Sequence, residues 1–220
     1  MKTWLRDNGL TLALLLLFAA SFVGQALAGF AQNNEQLEQH GQPLIPFGQY
    51  LVSGGFLSAV FENWESEFLQ MWAYVMLTAY LFQRGSPESK DPDEEAPQDR
   101  DPALDAHNAE SPWPVRRGGW LRAVYSHSLG LAMLVLFLAS FTAHWRNSAR
   151  HAAEEALQHG QAPPTPLEHL VSAQFWFESF QNWQSEFLST AVLIVLAIVL
   201  RERGSPESKP VGAPHRQTGT

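Results

Sequence analysis

Apolar residues along this chain are gathered into long runs rather than spaced at the period of a soluble amphipathic helix. Residues 9–28, GLTLALLLLFAASFVGQALA, contain no charged side chain, and about 20 residues at a rise of 1.5 Å cover the ~30 Å of a bilayer's hydrocarbon. A second run, 123–145, carries His127 and His144 but no Asp, Glu, Lys or Arg. Two more runs end at Phe82 and Leu200, but their purely apolar parts, 68–82 and 187–200, are only 15 and 14 residues long. Neither crosses a membrane alone. Extending each upstream to spanning length draws in the polar residues 63–67 and 182–186. The pattern predicts an all-α, polytopic membrane protein with four transmembrane helices, at about 9–29, 63–82, 123–145 and 182–200.

The first run has a rival reading as a signal peptide, because Lys2 and Arg6 precede it and Ala26-Leu27-Ala28 is a small-x-small cleavage pattern. An internal duplication decides between the two. Shifting the chain by 119 residues aligns 8–90 with 127–209 without a gap, with 34 of 83 positions identical. The identities cluster at QHGQ (39–42 and 158–161), at F-x-N-W-x-S-E-F-L from Phe61 and Phe180, and at RGSPESK from Arg84 and Arg203. Residues 9–28 are thus the counterpart of an internal segment without a cleavage pattern, and the first helix is expected to stay. Each repeat reads as a two-helix hairpin.

Composition adds topology. Residues 85–114 hold nine acids against Lys90 and Arg100, a net of -7 out of the chain's -8. With six prolines in the same stretch, it reads as a disordered acidic linker. The domains expected are a first hairpin at 1–84, the linker at 85–119, a second hairpin at 120–203 and a disordered tail at 204–220. Of 14 Lys and Arg, only Arg146 and Arg150 fall on the hairpin-loop side. The positive-inside rule therefore places both termini in the cytoplasm, and because each repeat crosses twice the two are oriented in parallel. No basic cluster suits nucleic acid, and the absence of cysteine excludes disulfides and thiolate chemistry.

Helix formers continue past both long runs and stop at Gly41 and Gly160, natural residues for a helix C-terminus. Helices one and three are thus expected to project beyond the bilayer. Prolines follow, then aromatic segments that read as short interfacial helices leading into the second helix of each hairpin. Trp64 and Trp183 are expected as interfacial anchors in the aromatic belt.

Four polar residues form the candidate site. Asn63 and Glu67, like Asn182 and Glu186, stand four apart and share a helix face. Either the two faces meet and build a polar site, or both carboxylates sit near helix N-termini and reach interfacial water. His40 and His159 invite a metal reading, yet each lies beside a glycine in the last turn of a helix, where it satisfies carbonyls, and the spacing matches no metal signature. No catalytic motif, cofactor fingerprint or metal site is read. RGSPESK is identical at all seven positions in both copies, more than helix capping requires, and is a candidate docking surface.

With E-N-W-E-S-E-F-L-Q at 62–70, Gly85-Ser86 through Lys90, and the opening Arg6-Asp7-Asn8-Gly9-Leu10, the chain resembles an uncharacterised family of bacterial integral membrane proteins known only as a domain of unknown function. The resemblance implies a bacterial inner membrane and a four-helix fold, and it carries no activity, cofactor or binding residue. The function expected is a non-enzymatic membrane scaffold or assembly protein, with a small channel or transporter as the alternative. The lipid bilayer is its partner, beside a protein partner or a second copy of the chain.

Overall fold

The computed structural model describes residues 2–219, and among these it is all-helical, without β-strands. The elements are α1 (Lys2–Asp7), α2 (Gly9–Gln39), α3 (Phe47–Tyr50), α4 (Gly54–Tyr80), α5 (Trp113–Arg117), α6 (Gly119–Ser126), α7 (Ser128–Gln158), α8 (Pro166–Leu170) and α9 (Ala173–Val199). Three of them, α2, α7 and α9, are long and apolar enough to cross a membrane, which makes this a multi-pass membrane protein by length and composition. Helix α4 has the same length as α9, 27 residues, but Glu62, Glu65, Glu67 and Gln70 dilute its apolar stretch. Large apolar side chains stay exposed along these helices, Leu10 at 75% and Leu16 at 71%. Such exposure is costly in water and costs nothing against lipid.

Helix bounds recur at the separation of the sequence identities. Helices α2 and α7 each have 31 residues, and both their starts and those of α4 and α9 lie 119 apart. The ends of α2 and α7 close alike. Gly41 and Gly160 take φ of +65° and +66°, the left-handed region open to glycine. The amide of Gln42 then reaches Leu37 O at 2.8 Å and that of Gly41 reaches Glu38 O at 3.0 Å, with Gln161 to Ala156 at 2.8 Å and Gly160 to Leu157 at 3.1 Å in the second copy. These paired bonds are the Schellman arrangement. His40 Nδ1 lies 2.7 Å from Gln36 O in the same turn, so this histidine does satisfy a helix carbonyl.

The chain forms two compact units. The first comprises residues 1–60 and 144–169. Its core is a row of rings in which Phe18, Phe22, Phe56, Tyr50, Phe30 and Phe47 follow one another at centroid distances of 5.0 to 6.0 Å. The Asn34 side chain clasps both backbone groups of Ile45, at 3.1 and 3.2 Å. Gly54 lies directly on α7, where an added Cβ would stand 2.9 Å from His151 N and 3.0 Å from Asn147 O.

The second unit comprises 61–143 and 170–220. Phe137, Phe141, Phe175, Trp176, Phe180 and Trp183 form its aromatic cluster at 5.3 to 6.3 Å. The expectation of a structureless linker and tail finds no support here. Pro97–Asp99 and Pro102–Asp105 form 3-10 turns, and Asp91, Asp101 and Asn108 each accept the backbone amide two residues on. Arg84 pairs with Asp93 at 2.6 Å and Lys90 with Asp99 at 2.6 Å. Local Asx turns and pairing of the few cations with neighbouring acids order a stretch whose net charge alone argues for disorder.

Candidate functional site

The polar residues at the head of α4 fall on two faces. Glu62, Ser66 and Gln70 are spaced i, i+4, i+8, with Glu65 beside them, whereas Asn63 and Glu67 point elsewhere because adjacent residues differ by about 100° around a helix. The first face is the one that packs. Ser66 is 2% exposed and Glu65 is fully buried, while Asn63 and Glu67 are exposed. On α9 the matching row is Asn182, Glu186 and Thr190, all half-buried.

Hydrogen bonds join the two rows. Asn182 Nδ2 donates to Glu62 Oε1 at 2.6 Å and Gln181 Nε2 to the same oxygen at 3.0 Å. Trp183 Nε1 donates to Glu65 Oε1 at 3.2 Å, and Gln70 Nε2 to Thr190 Oγ1 at 2.5 Å. Of the four residues expected from the sequence, Asn182 enters this network through its side chain. Glu67 and Glu186 are close enough to repel each other electrostatically. Ser66 and Ser185, next to those glutamates, donate instead to the carbonyls of Asn63 and Asn182, at 2.8 Å each. The ring of Trp64 packs edge-on against Phe61 at 5.4 Å, and Trp183 is half-buried within the aromatic cluster.

The residues that reasoning from the duplication passed over are Glu62 and Glu65, whose counterparts are Gln181 and Gln184. Identity between copies drew attention to Asn63 and Glu67. The signal lay in the differences, because a carboxylate on one helix needs an amide and not another carboxylate on the facing one.

The two RGSPESK segments fold into the same turn, both within the second unit. Gly85 and Gly204 take φ of +86° and +90°, Ser89 Oγ accepts Gln83 N at 2.8 Å, and Ser208 Oγ accepts Glu202 N at 2.9 Å. Ser86 and Ser205 each accept the amide of the following glutamate at 3.2 Å. The turn thus employs its serines as well as its glycine and proline. The glutamates meet. Tyr74 OH donates to Glu88 Oε2, and a hydrogen bond from Glu88, followed by its charge and by burial, raises the Glu207 carboxyl above the ordinary glutamate range. A raised folded value means that the pair stabilises the fold fully below the ordinary glutamate value, and that this contribution is lost as pH rises through the raised one. Glu207→Gln, which keeps a donor at every pH, is therefore expected to raise the thermal midpoint at neutral pH and to flatten its dependence on pH between mildly acid and neutral. A lower midpoint at pH 7 would show that the two carboxyls do not oppose each other.

Among the described residues no group of three or more His, Asp or Glu is placed to hold a metal ion. The family described as Domain of unknown function (DUF6766) matches the chain over residues 1–220. The chain belongs to this family. No curated protein and no solved structure matches it.

Proposed function

We propose that this member of the DUF6766 family is a non-catalytic integral membrane scaffold, built as two tandem, parallel hairpin repeats with four transmembrane helices and both termini in the cytoplasm of a bacterial cell. Helix α4 is the fourth span. The coincident bounds of α2 with α7 and of α4 with α9, and the concentration of Lys and Arg away from the hairpin loops, support this arrangement. Its partners are the lipid bilayer and a protein or a second copy of the chain that reads the paired RGSPESK turns.

The observation that carries the reading is the use made of the intramembrane carboxylates. Glu62 and Glu65 are bonded to Gln181, Asn182 and Trp183, so the polar groups that a transport path needs act as glue between α4 and α9. The test is a pair of measurements on the full chain. In proteoliposomes it should pass no more protons, Na+ or K+ than empty vesicles. In thermal denaturation, Glu62→Leu and Glu65→Leu should each cost about 0.6 to 1.7 kcal/mol, the range of single interhelical hydrogen bonds in membranes, whereas Glu67→Leu should be neutral or stabilising. Ion flux abolished by Glu65→Gln would replace the scaffold by a channel.

A further inference from the structure

The first unit holds two adjoining cavities that the scaffold reading leaves unused. The larger, about 830 Å3, opens between the projecting ends of α2 and α7, with Gln42, Arg150, Glu154 and His159 on its walls. The smaller, about 450 Å3, continues along α2 past Gln32 to Gln25, with Tyr50 and Phe56 on its floor. Both are walled by Asn33, Gln36, Gly55 and His151, so they make one space.

One face of α2 supplies its chemistry. Gln25, Gly29, Gln32 and Gln36 follow at i, i+4, i+7 and i+11 and therefore line up. Gly29 lets the Tyr50 hydroxyl lie against the helix, since a Cβ there would come within 2.1 Å of it. Gln25 is a polar residue within the uncharged, mostly apolar run 9–28, a position where a polar side chain is retained when it faces a cavity or a partner. Among the described residues the amides of Gln25, Gln32 and Gln36 have no side-chain hydrogen bond, and Asn33 Nδ2 is buried without a partner. The ionisable groups belong mainly to the larger cavity, where Arg150 pairs with Glu154 at 2.9 Å and donates to Val52 O at 3.1 Å and where Glu155, His40 and His159 also line the wall.

The result is a neutral wall of groups that donate and accept at once, above two aromatic rings, in a space of the size that small-molecule sites occupy. Vicinal hydroxyls, each also donor and acceptor, match amides, and the C–H face of a sugar ring matches an aromatic floor. We propose that this cavity binds a neutral polyhydroxylated ligand, a free mono- or disaccharide or the same sugar carried as a lipid headgroup. The site lies within the first unit and does not depend on the scaffold reading, whose tests concern residues of the second.

The test uses the full chain in phosphatidylcholine nanodiscs, free of sugar-based detergent. In one arm glucose, galactose, mannose, N-acetylglucosamine, sucrose and trehalose are titrated with ligand-observed NMR. In the other, glucosyl-diacylglycerol is added to the nanodiscs. Saturable binding is expected in at least one arm, and the arm identifies the source of the sugar. Gln32→Leu plus Gln36→Leu should weaken it at least tenfold, as should Gln36→Glu, which keeps size and polarity but brings in a charge. No saturable binding in either arm, or binding untouched by both variants, overturns the proposal. So does saturable binding of tri-alanine without any sugar, which would make the space a peptide groove.

Discussion

Replacing Gly54 by valine is expected to destabilise the protein by about 1 to 3 kcal/mol, the cost of forcing extra volume into a packed contact, and to lower the thermal midpoint by several degrees. The reason is what the side chain would strike. A Cβ at Gly54 meets His151 N at 2.9 Å and Asn147 O at 3.0 Å, backbone atoms of a continuous helix that cannot turn aside. Gly55 faces the His151 ring at 3.2 Å, a side chain free to swing, so Gly55→Ala should cost less. Gly48 has nothing within 4 Å, and Gly48→Val is the control for β-branching in a short helix. Equal midpoints for Gly54→Val and Gly48→Val would show that α4 and α7 are not in backbone contact at this point.

Lys209→Met should release the C-terminal tail. Lys209 is 1% exposed, and its Nζ donates to Gly85 O at 2.5 Å, His215 O at 2.8 Å and Gln217 O at 3.1 Å. Burial, then the charge of Arg201, lowers its pKa, and these carbonyls hold the ammonium in place. Methionine keeps the stem and removes every donor, leaving buried carbonyls unpaired, at about 1 to 3 kcal/mol for each group stranded. Other ties run from Gly85 N to Thr218 Oγ1 and from Gly219 N to Ser86 O, both at 2.9 Å, and from Arg201 Nη2 to Ala213 O at 3.1 Å, with His215 Nδ1 3.3 Å from Ile198 O. These should not hold the tail without the buried ammonium. Limited proteolysis is the readout, with cleavage after 209 expected to accelerate at least tenfold. The sequence-identical Lys90 offers the comparison. It bonds Asp99 and Ala79 O, so Lys90→Met should loosen the linker and leave the tail protected. Unchanged cleavage in Lys209→Met would mean that the tail is held elsewhere.

What the sequence determined by itself is what depends on near neighbours along the chain. The long helices, their ends at His40 and His159, the glycine caps and the repeated turn after Arg84 and Arg203 all rest on bonds within about seven residues, and such bonds follow composition and spacing. The short helices differ from expectation: the aromatic segments at about 50–61 and 170–180, read as separate interfacial helices, fall mostly within α4 and α9, while short helices form before them at Phe47–Tyr50 and Pro166–Leu170. The tertiary structure decided which face of each helix is shared. A rotation of about 100° separates Glu67 from Ser66 and Glu62 from Asn63, and nothing local distinguishes these faces, since all lie in one polar stretch. Packing buries Glu65 and leaves Glu67 exposed, because the indole N–H of Trp183 on α9 pairs with the first and a like charge opposes the second. The two identical heptapeptides make the same point. Their turns are alike because the residues inside them are identical, but Lys90 finds the carboxylate of Asp99 in the segment that follows it. Lys209 instead finds the carbonyls of His215 and Gln217 in its own following segment together with the remote Gly85 O, because the flanking sequences differ and a distant stretch of chain packs on the second copy.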